Sequence, residues 1–449
     1  MTEATPTTGA EEQDRPTVKH ATWDQARAVA HAAASPLPEQ WLPLAETIGE
    51  TLAQPVTAQA PLPHYSSSAM DGWAVAGHGP WNIVVPEPAE EDPRLTWART
   101  GNEPVIRVTS LADGQATAIV TGGLVPEGAT AVLRSEWGTE NDGLLSVNDD
   151  AAPGAPGPGD HIRPAGEEAA VGDVLLDPGS RLNPAHIAFA AVTGQDMLPV
   201  RRRPRVTLLL TGDEVDESGL PEPGRVRDAF GPQLPQFVHL LGGQVDAVHR
   251  LGDDLEVLTE RLTVPEIGAE SVLDSRAQLI ITTGGTGGSS VDHLRTALAD
   301  AGAHLIVDEL DLRPGHPALL ARMPDDGPFV LGLPGNPLAA MTALMLLGAP
   351  LLAAFGGADL PPTVEVSLTR PVDAFKSVRL LPGLAATSTV ALAHEAHPWA
   401  RTTTPSAAPL AYAGANMMRG FSQANVLLVI PQEGAPEGGT VVAVPLPWL

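Results

Sequence analysis

The chain has 449 residues, too many for one hydrophobic core at roughly 100–200 residues per domain, so about three or four domains are expected. It has no cysteine, which excludes disulfides, cysteine-ligated zinc, iron–sulfur clusters and thiol nucleophiles, and leaves only oxygen or imidazole ligands for a metal. A formal net charge of -28 excludes general nucleic-acid binding, and the few cations are almost all arginine, with lysine only at Lys19 and Lys376.

Residues 1–16 are polar and acidic and read as a disordered tail. They lack the positive and apolar regions of a signal peptide, so a cytoplasmic protein is expected. Alanine and leucine patterns predict short helices over 23–34 and 42–52. Residues 63–155 read as a β-rich insertion, with short strands at 81–85, 105–108, 116–120, 131–135 and 144–147 between Gly, Pro and Asp turns. Strands over 161–181 and a helix over 184–193 follow, and 17–62 with 156–203 are expected to form one discontinuous N-terminal domain.

From residue 204 to 355 strand and helix signals alternate. Strands are predicted at 205–212, 244–248, 278–282 and 329–333, with helices at 231–241, 255–262, 291–301 and 338–352. Such alternation predicts a parallel sheet covered by helices, with a ligand beyond the carboxyl ends of the strands. The apolar stretch 339–355 contains Gly and Pro and follows a turn, so it reads as a buried domain helix rather than a membrane span. Short strands at 364–368, 378–381, 426–430 and 441–444 make 356–449 a final β domain.

Two glycine-rich loops stand out, TGGTGGS at 283–289 and LPGNP at 333–337, each between a strand and a helix. Glycines allow an anion to approach the backbone closely, and N–H groups near a helix start favour phosphate. The first loop is neither a P-loop, lacking GK[ST], nor a dinucleotide fingerprint. In the second, Pro337 suits a first helical position and Gly335 is free to adopt positive φ. Thr211-Gly212-Asp213-Glu214 brings two carboxylates to another strand end. By themselves these residues leave a solvated acidic turn and a functional one both open.

Six segments occur in the order found in the MoeA/gephyrin family: PLPHYSSSAMDGWAV (61–75), ATAIVTGGLVPEGATAVLRSE (116–136), IRPAGEEAAVGDVLLDPGSRL (162–182), RRPRVTLLLTGDEV (202–215), TGGTG (283–287) and LGLPGNPLAA (331–340). The chain resembles that family over about 17–449. The resemblance implies an elongated four-domain subunit, with a C-terminal β-barrel-like domain, that pairs as a homodimer. It places the active site between the parallel-sheet domain of one subunit and the β-rich insertion of the other. The implied activity is that of a molybdopterin molybdenumtransferase: adenylylated molybdopterin is hydrolysed with molybdate and a divalent cation, expected to be Mg²⁺, releasing the molybdenum cofactor and AMP. The implied catalytic residues are Asp71, Glu168, Glu214, Asp253 and Asp292, with Asp253 and Asp292 holding the metal. The implied binding residues are Ser68, Thr121, Gly122, Thr211, Gly212, Asp213, Gly284, Gly285, Thr286, Gly287, Arg313, His316, Pro334, Gly335, Asn336 and Pro337.

Besides Gly166-Glu167-Glu168 for the family's Gly-Glu-Asp, where Glu168 keeps the charge on a longer arm, the chain departs from the family pattern in four further places. The usual KPGKP is Arg313-Pro314-Gly315-His316-Pro317, and Tyr-Asp-Ser-Asn is Arg227-Asp228-Ala229-Phe230. Asp-Asn-Ser before the AMDG segment is Ser66-Ser67-Ser68, and SGGVSVG is TGGTGGS. Arg grips an anion as a planar fork where Lys is a compact point charge. These changes raise an alternative by analogy with gephyrin: a dimeric scaffold with weakened or lost catalysis that binds a peptide of a tubulin-like division filament or a membrane protein's tail.

Overall fold

The computed structural model describes residues 16–85, 110–263, 277–287, 293–386 and 404–448. Residues 1–15 of the expected tail, the strand at 105–108 and Asp292 lie outside the described residues. The described residues fall into two compact units, one drawn from 1–54, 178–187 and 196–449, the other from 55–177 and 188–195.

The first unit is built on a seven-stranded sheet: β1 (Val18–Ala21), β2 (Arg205–Thr211), β3 (Gln244–Leu251), β4 (Leu279–Thr283), β5 (His304–Leu310), β6 (Leu319–Arg322) and β7 (Phe329–Leu333). Their order is β1-β5-β6-β7-β4-β2-β3. Six strands run the same way, and β6 runs against both its neighbours. The expected parallel sheet is thus present, with one antiparallel strand, β6, within it. The reason is local: the turn at 311–318 carries the chain from β5 straight into the adjacent β6, without a crossover helix.

Consecutive residues of the central strands face opposite layers. Leu208, Leu210, Ile281 and Leu331 join one core with helix α1 (Trp23–Ala33), α2 (Leu234–Leu240) and the helix over 337–356. Leu209, Ile280 and Val330 join the other with α3 (Leu255–Thr263) and α4 (Leu294–Asp300). Every residue of β4 and β7 is buried, as strands covered on both faces must be.

Helix α1 starts from a capping box, in which Thr22 Oγ1 accepts from Gln25 N and Gln25 Oε1 accepts from Thr22 N. The final helix, Pro337–Gly356, is long and apolar enough to cross a bilayer, yet 94% of its most apolar window is buried inside the protein. It begins on Pro337 and stops at Gly357, whose φ of 70° is left-handed. Burying each large apolar side chain of this helix stabilises the fold by roughly 1.5–3 kcal/mol.

The helix expected over 42–52 is not formed. Glu39–Pro43 and Thr51–Leu52 are strands flanking Met197–Arg201 in an antiparallel three-stranded sheet. Pro43 lacks an amide donor and Gly49 sits at φ 82°, so tertiary pairing overrides the leucine and alanine content. Strands Val364–Leu368, Arg379–Ala385, Ser406–Pro409, Val426–Ile430 and Thr440–Pro445 close a barrel around Val366, Leu428 and Ile430.

The second unit holds a six-stranded sheet made from Gly138–Asn141, Leu144–Val147, Trp81–Ile83, Gln115–Ile119, Gly72–Val75 and Ala131–Arg134, in that order. Its core is Val75, Trp81, Ala116, Leu133 and Leu145. Four of the strands expected in the insertion are thus present.

Candidate functional site

The carboxyl ends of β3, β2, β4 and β7 are neighbours along one edge of the sheet, and each opens into a loop singled out by its sequence. The two glycine loops are joined: Gly284 N donates to Leu333 O at 2.9 Å. Thr211 Oγ1 donates to Thr283 O at 2.6 Å and ties the end of β2 to that of β4. Gly284 and Gly285 have φ of 85° and 65°. A Cβ at Gly284 would also lie 2.9 Å from Thr211 Oγ1, so strain and crowding coincide there. Gly284→Ala is expected to destabilise the protein by about 1–3 kcal/mol. Chemical denaturation measures this, and an unchanged midpoint would contradict it.

Gly335 serves differently. It is not among the residues with positive φ, and a Cβ there would meet only Gly284 Cα, at an ordinary 3.7 Å. The fold itself tolerates a side chain at 335; what glycine keeps clear is the space over the first loop. Among the described residues, the N–H groups of Gly285, Thr286, Gly287, Gly335 and Asn336 have no hydrogen-bond partner. The helix start behind the second loop is less open, because Leu338 N and Ala339 N both donate to Ala415 O, at 2.9 and 3.2 Å. The anion-binding capacity thus lies in the loops rather than in the first turn of that helix.

Asp253 borders the first loop across a crevice, and Asp213 and Glu214 stand on the adjoining turn. Strand β3 continues to Leu251, beyond the expected end at 248, and brings Asp253 against the TGDE turn, where its Oδ2 accepts from Asp213 N at 3.3 Å. Asp213 Oδ1 lies over Gly252, 2.8 Å from where a Cβ would stand, and Glu214 Oε2 lies 3.0 Å from a Cβ on Gly212, whose φ is 129°. Thr211, Asp253, Gly284 and Gly285 line one small crevice with His293 and Leu294. Among the described residues no arginine, lysine or histidine forms an ion pair with Asp213, Glu214 or Asp253. A set of unpaired carboxylates suits a hard divalent cation with oxygen ligands.

Two residues of this turn escape a reading of spacing alone. Asp254 belongs to the fold, since its Oδ1 accepts from Glu256 N at 2.8 Å and Val257 N at 3.1 Å and caps α3. The signal was present, an Asp immediately before an apolar helical pattern. Arg225 braces the TGDE turn by donating to Asp213 O at 3.0 Å and to Asp216 Oδ1 at 2.7 Å.

Arg313 is held by its backbone alone. Its N donates to Val378 O at 2.9 Å and its O accepts from Leu380 N at 3.0 Å, while its exposed guanidinium has no partner among the described residues. His316 is turned elsewhere: Nδ1 meets Leu310 O at 2.7 Å and Nε2 lies 3.6 Å from Glu309 Oε2.

In the second unit the residues carried over from the family also cluster. Asp71 Oδ1 accepts from Thr121 N at 2.7 Å and Thr121 Oγ1 at 3.0 Å, and these bonds, the backbone one foremost, hold its carboxyl below the usual range. Gly122 N donates to Ser68 O at 2.8 Å, and the buried Ser68 bonds to Met70. Glu168 is exposed, with its N donating to Leu62 O at 2.8 Å. Gly72 must be glycine, because a Cβ there would stand 2.0 Å from Leu133 O.

Residues 21–194 match the family described as "MoeA N-terminal region (domain I and II)", and residues 207–354 that described as "Probable molybdopterin binding domain". The chain is 30% identical over 329 residues to the molybdopterin molybdenumtransferase of Synechococcus elongatus, covering 73% of this chain and 78% of that protein. It is 31% identical over 333 residues to molybdopterin molybdenumtransferase 2 of Mycobacterium tuberculosis, covering 71% and 76%. In fold it is similar to the MoeA protein of Pyrococcus horikoshii, with a TM-score of 0.67 over 96% of this chain and 99% of that one at 22% identity.

Proposed function

Because the chain belongs to the MoeA family, we propose that it is a molybdopterin molybdenumtransferase that inserts molybdate into adenylylated molybdopterin, yielding the molybdenum cofactor and AMP. The observation that carries the reading is the meeting of two bonded glycine loops with the unpaired Asp253, Asp213 and Glu214 at adjoining strand ends. The free loop N–H groups would receive the phosphates, and the exposed Arg313 fork would grip an anionic oxygen. The carboxylates would orient the attacking water and hold Mg²⁺, whose charge offsets the repulsion between phosphate and molybdate. In the second unit Asp71, held below the usual carboxyl range by Thr121, is the carboxylate we assign a role, with Ser68 and Gly122 bonded beside it; Glu168 is a further acid of the same unit. A cytoplasmic homodimer with the four-part domain division of its family belongs to the same proposal. The relatives' names favour the enzyme, and no observation favours the scaffold alternative.

Expression of the chain in a cell lacking its own molybdenum-insertion enzyme tests the reading, with restored molybdoenzyme activity as the expected result. Failure to restore it, with the protein present and soluble, would count against the proposal. Gly335→Ala offers a sharper probe. Its methyl group projects over the first loop without straining the fold, so thermal stability should stay within about 1 kcal/mol while affinity for adenylylated molybdopterin falls about tenfold or more. Unchanged affinity in equilibrium binding would remove the phosphate from this crevice.

A further inference from the structure

His20 and Glu309 stand opposite each other on the parallel pair β1 and β5, between the registered pairs Lys19–Asp308 and Ala21–Leu310. Both are left-handed, with φ of 50° and 69°, a conformation uncommon for residues other than glycine. His20 Nδ1 lies 3.3 Å from Glu309 Oε2, and His316 Nε2 lies 3.6 Å from that same oxygen. The two imidazoles are nearly parallel, 7° apart with ring centroids 6.0 Å from each other. All three donor atoms fall within 4.8 Å of one another.

The chemistry of this trio is unbalanced as it stands. The carbonyl of Leu310, 2.7 Å from His316 Nδ1, can only accept, so Nδ1 carries the proton and Nε2 turns a lone pair toward a carboxylate. At 3.6 Å this lone pair and the carboxylate do not bond each other, and both are free to turn to a cation between them. The arrangement matches a metal centre: an imidazole whose far nitrogen donates to a backbone carbonyl is the usual support for a ligating histidine. Glu309 is oriented likewise, with Arg295 Nη2 3.7 Å from Oε1 and Oε2 left for the shared position. In tetrahedral zinc the ligand atoms are roughly 3.3 Å apart, close to two of the three spacings here. The third closes by a small turn of His20, whose side chain is 63% exposed.

We propose that His20, Glu309 and His316 bind one divalent ion of the zinc class, with its remaining position open to solvent or a ligand. Two imidazoles and one carboxylate select Zn²⁺, Co²⁺ or Ni²⁺ over Mg²⁺, which takes oxygen ligands, so the site is chemically distinct from the Asp253 crevice and does not rest on the proposed transferase activity. The test is calorimetric titration of tag-free, chelator-treated full-length protein with Zn²⁺, paired with Co²⁺ absorption to read tetrahedral coordination. One ion per chain is expected, undisturbed by excess Mg²⁺. His20→Ala and His316→Ala should each weaken binding at least about 100-fold, the upper end of what losing even an outer-shell partner costs. His20 is exposed on a short edge strand, so its variant keeps the fold, and circular dichroism confirms this for both. Absence of stoichiometric Zn²⁺ binding would overturn the site in favour of a protonated histidine pair. Affinity retained within about threefold in both variants would place the ion elsewhere and overturn it equally.

Discussion

Asparagine at position 253 is expected to lower molybdate-dependent AMP release by on the order of 10²-fold or more, the scale of losing a positioned acid–base group. The substitution is chosen because it separates charge from structure. Asp253 Oδ2 accepts the N–H of Asp213 at 3.3 Å, and the amide oxygen of asparagine can accept the same bond, so the turn and the stability of the protein are preserved. What disappears is the negative charge that no arginine, lysine or histidine among the described residues neutralises. Raising Mg²⁺ should recover part of the rate if the carboxylate holds the cation. A rate within about threefold of the wild type would exclude Asp253 from the chemistry.

Asp228→Ala is expected to have the largest effect on stability, about 3 kcal/mol, or roughly 6–10 °C in melting temperature. Burial would raise this carboxyl's pKa, but the N–H of Gly231, the Arg250 guanidinium and the N–H of Phe230 together hold it below its usual 3.8. Its Oδ1 accepts from Phe230 N at 2.8 Å and Gly231 N at 3.0 Å, while Oδ2 pairs with Arg250. The Asp228 side chain is only 3% exposed, whereas that of Arg250 is 34% exposed, so most of the loss is assigned to the two stranded N–H groups and the emptied buried site rather than to the ion pair. Gly231 is part of the same cage, since a Cβ there would come within 2.3 Å of both charged partners. Because the folded pKa is depressed, this contribution is complete above the usual value of 3.8 and is lost as pH falls through the lower folded value. The gap between the unfolding midpoints of wild type and variant should therefore be largest at neutral pH and narrow, without closing, in strong acid. A constant gap across that range, or none at neutral pH, would contradict the account.

The Asp228 cage shows what a reading of motifs misses. In the sequence, Arg227-Asp228-Ala229-Phe230 stands out as a departure from the family's Tyr-Asp-Ser-Asn, but one member of the Asp228 cage, Arg250, lies 22 residues away on β3. The central strands were legible because 329–333 is apolar throughout, 206–210 is apolar but for Thr207, and both run into glycine turns. β1 was not, since it is four residues long and pairs with a strand nearly 290 residues further on, which no local pattern can encode. β5 was hidden by Asp308 and Glu309 near its end, and β6 by its length of four residues. In the site, the positions of glycines and acids along the chain could be read directly. That a Cβ on Gly335 would meet only Gly284, that Asp254 is a cap beside Asp253, and that His316 turns to Glu309 are facts of three-dimensional packing.

The central claim is that a chain with Arg313 and His316 in place of two lysines still inserts molybdenum. Purified protein supplied with adenylylated molybdopterin, Mg²⁺ and molybdate tests it most directly, by following AMP release and cofactor formation together. The account predicts turnover that depends on molybdate and that Asp253→Asn abolishes nearly completely. Binding of the adenylylated compound without molybdate-dependent AMP release would contradict it.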